Sequence, residues 1–178
     1  MDQKEFDGKR VMHIDTSCKL HENRDTGIAY LILKTKIHKG LVLSKKLKRE
    51  LKRDINADED YARVYAICIY YLIKDDLKNF DVLVICGDEN YISVKKYLDL
   101  LFEEVGEYSK KEIMSLYELR KLTGKKKLKS YADNVASSYR RRGLKCLARK
   151  QEGKEIYPIR TNYKSIKEKW FEIEEKMK

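Results

Sequence analysis

Short apolar runs separated by polar turns mark the beginning of the chain. Residues 11–14 form a buried-strand pattern that ends at Asp15, and apolar residues return over 28–33 and again over 41–43. A turn at 38–40 separates the last two runs, which is typical of a hairpin. The pattern therefore predicts three consecutive antiparallel strands.

The middle of the chain alternates helical and strand patterns. Residues 56–60 supply cap and acidic residues for a helix start, and the almost wholly apolar residues 63–73 continue this helix. The run 82–86 is typical of a central strand covered on both faces. A second helix is predicted over 91–105. The basic segment 44–54 fits either a strand end or a short helix.

The last third of the chain has weaker patterns. Three elements are predicted in its first part: a strand over 113–119, a basic loop over 121–127, and a helix whose apolar stripe begins at Leu128 and that ends near Gly143. Residues 144–149 and 155–159 then predict a hairpin, and a final helix begins at Tyr163. We expect an α/β domain over 1–142 with a basic hairpin and helix extension over 143–178.

The order of these elements brings distant acids together. A right-handed crossover places strand 82–86 parallel to the first strand, at a spacing of about 4.8 Å if the two are neighbours. Asp15 and Asp88 would then emerge at one edge of the sheet. The start of the first helix brings the acids at 58–60 to this edge, and the start of the third brings Asp133. Ligands of open sheets bind outside the carboxyl ends of strands, so we expect a site here.

Charge points to a polyanionic partner. Lys and Arg number 40 against 29 Asp and Glu, which gives a net charge of +11. The 42% of hydrophobic residues and 13 Tyr carry too much apolar surface for a disordered chain. A folded basic protein favours nucleic acid as its partner, and a membrane surface less often.

The spacing of the cysteines and the length of the apolar runs indicate the cellular compartment in which the protein is expected. The four cysteines form no Cys-x-x-Cys pair, which excludes the common zinc and disulfide frameworks. Apolar runs stay well short of the roughly 18 residues that span a bilayer. We therefore expect a soluble cytoplasmic protein with reduced thiols and no membrane partner. His13, within the first strand, is expected to be a packed imidazole and not a catalytic group.

Four short motifs follow one another along the chain. They are Asp-Thr-Ser-Cys at 15–18 with an apolar return at 27–30, Glu59 followed by the small residues Ala62 and Ala66, Asp-Glu-Asn-Tyr-Ile at 88–92, and Ala-Asp-Asn-Val-Ala at 132–136. Over residues 10–142 the chain thus resembles the ribonuclease H-like superfamily, and the order of the motifs is most similar to that of type I ribonuclease H. The resemblance implies a five-stranded mixed sheet flanked by helices, here with a C-terminal hairpin and helix extension.

The resemblance also implies an activity. The catalytic and metal-binding residues would be Asp15, Glu59, Asp88 and Asp133. Their carboxylates would bind Mg²⁺ or Mn²⁺, since these ions prefer hard oxygen ligands. Two such ions serve the attacking water and the leaving oxygen of phosphodiester hydrolysis. We expect an endonuclease that acts on an RNA–DNA hybrid, RNA or DNA.

The acid from the first helix has several candidates. Glu59 lies on the predicted sheet-facing side of that helix and is preferred, with Asp58 and Asp60 as alternatives. Counting back from Asp88 puts Ala62 at this position instead. Such acids also have ordinary structural roles, because carboxylates near a helix start favour the helix dipole. The histidine that the family carries before its last helix has no equivalent here.

Contacts with nucleic acid are expected near the same edge. The candidates are Ser17, Asn90, Lys125, Lys126, Lys127, Arg140, Arg141 and Arg142. A second hypothesis treats residues 115–159 as a winged-helix module, with 139–144 ending a recognition helix before a hairpin around Gly153. That hypothesis makes the protein a non-catalytic nucleic-acid binder. A third keeps the nuclease fold but drops catalysis.

Overall fold

Five strands form one mixed sheet in a computed structural model that describes residues 8–87, 89–148 and 158–178. The strands are β1 Val11–Thr16, β2 Thr26–Ile32, β3 His38–Leu43, β4 Val82–Ile85 and β5 Glu112–Ser115. Their order across the sheet is β3-β2-β1-β4-β5. β1, β2 and β3 are antiparallel neighbours, whereas β4 and β5 run parallel to β1. The predicted meander and the parallel pairing of β1 with β4 are confirmed.

Helices cover both faces of this sheet. They are α1 Lys45–Ile55, α2 Tyr61–Ile73, α3 Tyr91–Leu101, α4 Leu116–Thr123, α5 Asp133–Ser138, α6 Leu144–Ala148 and α7 Tyr163–Lys176. A π-helical segment, Tyr139–Gly143, joins α5 to α6 without a break, and we name this composite the long helix, 133–148. Within the described part of the chain, no helix is long and apolar enough to cross a membrane.

Helix caps decide one alternative that the sequence left open and correct one prediction. Ser44 accepts a hydrogen bond from the backbone N–H of Leu47, so the basic segment 44–54 is a helix and not a strand end. Ser115 and Glu118 form a reciprocal capping box, which ends β5 and starts α4 at Leu116. The prediction of a strand over 113–119 is therefore wrong beyond Ser115, and the first part of the predicted basic loop is helical.

The long helix differs from its prediction at both ends. It begins at Asp133 instead of near Leu128, and it continues through Gly143 into α6. Residues 144–148 are consequently helical and not the first arm of the predicted hairpin. The rest of the predicted hairpin lies largely outside the described residues, and Ile159 forms a parallel bridge with Leu41.

The larger hydrophobic core lies on one face of the sheet. Met12 and Ile14 of β1 pack there with the apolar residues of α2 and α3. Ile166, Trp170 and Ile173 of α7 belong to the same core. The terminal helix therefore packs with residues from the predicted N-terminal domain, and the predicted boundary at 142–143 falls inside the long helix.

The long helix packs very closely against the other face of the sheet. A Cβ atom added to Gly27 of β2 would lie 2.2 Å from the carbonyl oxygen of Ala136, and one added to Gly40 of β3 would lie 2.4 Å from the ring of Tyr139. Ala29, Ala136 and Tyr139 belong to one buried cluster at this contact. Small residues in the sheet thus allow the helix backbone to approach β2 directly.

Gly27→Ala should destabilise the protein because the added methyl group meets the helix backbone, which cannot move as a side chain can. Overpacking of this kind costs about 2 kcal/mol. The free energy of unfolding, measured by urea denaturation, should fall accordingly. Gly106→Ala is the matched control, since its Cβ would meet nothing within 4 Å. Equal unfolding free energies for the two variants would contradict the close packing.

His13 is fully buried in β1, with its ring against the edge of Tyr131 at a centroid distance of 5.2 Å. Neither ring nitrogen has a hydrogen-bond partner among the described residues. Burial lowers the pKa of His13 from 6.5 to about 4, because the charged form would be desolvated. The imidazole is therefore neutral in the folded protein at physiological pH.

His13→Leu should change how stability depends on pH. In the wild type, the unfolded chain binds a proton near pH 6.5, whereas the folded chain does so only near pH 4. The contribution of His13 to the free energy of unfolding is fully present above pH 6.5. It falls by about 3 kcal/mol as the pH drops to 4. In urea unfolding between pH 4 and 7, the free energy of unfolding of the variant should lack this part of its dependence on pH. His21→Leu, at an exposed position, should keep the wild-type slope.

Candidate functional site

A cleft of about 1040 Å³ opens at the carboxyl ends of the parallel strands β1, β4 and β5. Asp15 and Thr16 end β1, Cys86 and Gly87 follow β4, and Ser115 ends β5, and all five line the cleft. The N-terminal ends of α3, α4 and the long helix complete its wall. The cleft therefore lies at the sheet edge where the sequence predicts a site.

Four acidic side chains line this cleft: Asp15, Glu89, Asp133 and Glu118, the last of which belongs to the Ser115 capping box. Asp15 is half-buried, and its Oδ1 accepts a hydrogen bond of 2.7 Å from the backbone N–H of Thr16. Glu89 is half-buried, and Asp133 is exposed as the first residue of α5. The structure thus brings the predicted residues Asp15 and Asp133 to one cavity. Asp88, which directly follows Gly87, lies outside the described residues.

Glu59 lies away from this cavity. It precedes α2 instead of lying on that helix, it is exposed, and it is absent from the described residues that line the cleft. The two alternative acids have other partners: Asp58 forms an ion pair of 2.7 Å with Lys52, and Asp60 accepts the α2 capping hydrogen bond from the backbone N–H of Arg63. The structure brings none of these three acids to the cleft wall.

Helix α2 contributes Tyr65 to the cleft, and α2 contains no acidic residue. The Tyr65 hydroxyl donates a hydrogen bond of 2.5 Å to the carbonyl oxygen of Cys86. Burial raises the pKa of Tyr65 well above its ordinary value, and the negative charge of Asp15 acts in the same direction. A neutral phenol therefore faces Asp15 from the helix that was expected to supply a carboxylate.

The acids of the cleft have the right chemistry for a hard divalent cation, because carboxylate oxygens are the ligands that Mg²⁺ prefers. The described residues contribute only a few acids to the cleft. Among residues 8–87, 89–148 and 158–178, no three His, Cys, Asp or Glu side chains are grouped so that they could hold a metal ion. The predicted set of ligands also contains Asp88, which lies outside the described residues.

Basic side chains line the side of the cleft formed by α4 and the loop after it. They are Arg120, Lys121 and Lys129. The Arg120 Nε donates a hydrogen bond of 2.9 Å to the carbonyl oxygen of Leu128, which ties this loop to α4. The sequence interpretation did not name these three cations as contacts. The Ser-x-x-Glu capping signal at 115–118 was the pattern that could have placed Lys121 on a helix beside the site.

The predicted contact residues divide into two groups. Ser17 and Asn90 line the cleft, where the Ser17 hydroxyl accepts a hydrogen bond of 2.9 Å from the backbone N–H of Gly27. The lysines at 125–127 lie in the turn after α4, and the arginines at 140–142 lie in the π-helical segment. Neither basic run is among the described residues of the cleft wall.

Cys86 lines the cleft, but its thiol is a poor nucleophile at neutral pH. Burial raises the pKa of its thiol to about 12, and the charge of nearby Asp15 contributes in the same direction. The thiol is therefore protonated at neutral pH, and a thiolate is the nucleophilic form of cysteine. This arrangement argues against Cys86 as a nucleophile.

Comparison of this chain with protein-family models, with curated proteins and with solved structures finds no match. Functional inference therefore depends on the cleft itself. Its distinguishing features are acids from distant parts of the chain together with the cations Arg120, Lys121 and Lys129. Such a combination suits a ligand that carries phosphate groups and a bound cation.

Proposed function

We propose that this chain is a metal-dependent nuclease that hydrolyses phosphodiester bonds in nucleic acid. One observation carries the proposal: Asp15 and Asp133, which are far apart in sequence, line one cleft outside the carboxyl ends of parallel strands. Open α/β sheets bind their ligands at this position. The five-stranded mixed sheet with β1 between β2 and β4 is compatible with the ribonuclease H-like arrangement that the motifs suggest.

Within this proposal, Asp15, Asp88 and Asp133 would hold Mg²⁺ or Mn²⁺. When bound, such ions stabilise the attacking and leaving oxygens of an in-line displacement. The chain itself contributes the carboxylates that orient the site, and Lys121 and Lys129 attract the phosphate backbone of the substrate. The net charge of +11 favours association with any polyanion before the specific contacts form.

Nucleic-acid binding without cleavage is the second candidate. It is favoured by Tyr65, since α2 brings a phenol to the place where the nuclease hypothesis needs a fourth carboxylate. The winged-helix form of this alternative receives less support. The long helix is buried against the sheet at Tyr139, so its sheet-facing side is not available to enter a DNA groove.

Asp15→Asn and Asp133→Asn should each reduce metal-dependent cleavage by about 100-fold or more, because each removes a charged oxygen ligand from the cleft. Cleavage of labelled RNA–DNA hybrid, duplex DNA and single-stranded RNA with Mg²⁺ or Mn²⁺ provides the measurement. Asp75→Asn is the matched control, since Asp75 lies exposed in the turn after α2 and pairs with Lys74. Binding of substrate without cleavage by the wild type across this panel would support the second candidate instead.

Glu59→Gln should leave cleavage within about twofold of the wild type, because Glu59 lies before α2 and outside the described cleft wall. The same assays measure this variant beside Asp15→Asn. A loss as large as that of Asp15→Asn would show that Glu59 reaches the bound metal in the working enzyme. The ribonuclease H-like set with Glu59 as its helix acid would then be restored.

A further inference from the structure

The rim of the cleft carries an exposed aromatic ring. Tyr117 is the second residue of α4, it lines the cleft, and it is 62% exposed. Its neighbour Leu119 is fully buried against β4 and β5, which fixes the orientation of the helix. The ring is therefore held at the rim by a helix that is itself anchored to the sheet.

A cation lies beside this ring. The Lys121 ammonium is 4.8 Å from the centroid of the Tyr117 ring, one helical turn further along α4. Lys121 and Lys129 both line the cleft that contains Tyr117. An aromatic ring with one cation beside it and a second cation in the same cleft matches a nucleotide, which offers a flat base and a negative phosphate within one short unit.

We propose that Tyr117 is a stacking platform for an unpaired nucleobase, whose flanking phosphates contact Lys121 and Lys129. This proposal rests on the proposed function in that it treats the cleft as the nucleic-acid site. In a duplex, each base is stacked on its neighbours and offers only its edges to a protein. A protein ring stacks readily only on a base that is single-stranded, in a loop or at an end.

The substrate class that follows is single-stranded nucleic acid, or a duplex with an unpaired segment, in preference to a continuous hybrid or duplex. An isolated exposed tyrosine would not justify this conclusion, because single exposed aromatic residues are common. What distinguishes Tyr117 is its place in the wall of the cleft that also holds the acids, with the Lys121 ammonium beside its ring. Leu122 lies on the same helix and is 71% exposed, yet it is outside the described cleft wall.

Binding measured without divalent metal separates this proposal from catalysis. Fluorescence anisotropy in EDTA would compare a short labelled oligo-dT strand, an abasic strand of equal length and a blunt duplex. Tyr117→Ala should weaken binding of oligo-dT by on the order of tenfold, the usual effect of losing one stacked base. Binding of the abasic strand should change little, because its phosphates remain. Tyr117→Phe should behave as the wild type, since the ring is kept.

Leu122→Ala is the matched control and should leave every affinity unchanged. The proposal is overturned if Tyr117→Ala and Leu122→Ala have the same effect on oligo-dT, or if the abasic strand loses as much affinity as oligo-dT. Circular dichroism would confirm that the variants fold. If Tyr117→Ala selectively loses affinity for oligo-dT but the wild type cleaves no substrate with metal, the nuclease proposal is wrong and the stacking site stands. If the wild type cleaves but Tyr117→Ala binds oligo-dT as the wild type does, the nuclease proposal stands and the stacking site is wrong.

Discussion

The closeness of the long helix to the sheet is the constraint on which the candidate site depends. Gly27 and Gly40 leave room for the backbone and for Tyr139, so the helix lies flat across β2 and β3. A helix displaced by a methyl group at this contact would carry its first residue, Asp133, away from β1. The geometry of the acids is therefore set by small residues in the sheet that themselves have no chemical role.

The cleft at this sheet edge carries charges of both signs. Asp15 lies near the end of β1 and Glu89 follows β4, whereas α4, which begins directly after β5, carries Arg120 and Lys121 together with the capping acid Glu118. The Ser115 capping box makes this turn from strand to helix without a loop. Within the proposed function, a phosphate chain that enters the cleft would meet Arg120 and Lys121 on the α4 side, and a metal ion would bind beside Asp15.

Those parts of the fold that follow from local rules could be predicted from the sequence. Strand runs and the right-handed crossover gave the neighbourhood of β1 and β4, and with it the location of the cleft. The long helix was mispredicted at both ends because its extent depends on contacts with β2 and β3 that no local pattern records. Glu59 was placed on α2 by its spacing from Ala62, whereas the capping of that helix by Asp60 leaves Glu59 outside it.

Tyr65 explains why a convergent cleft need not contain the full set of acids. The residue is 1% exposed, and α2 is buried along most of its length. A carboxylate at this position would lose its hydration on folding, which costs several kcal/mol unless a cation compensates it. A tyrosine that donates to the Cys86 carbonyl needs no such cation. The packing of α2 beneath the cleft therefore needs no carboxylate at this position.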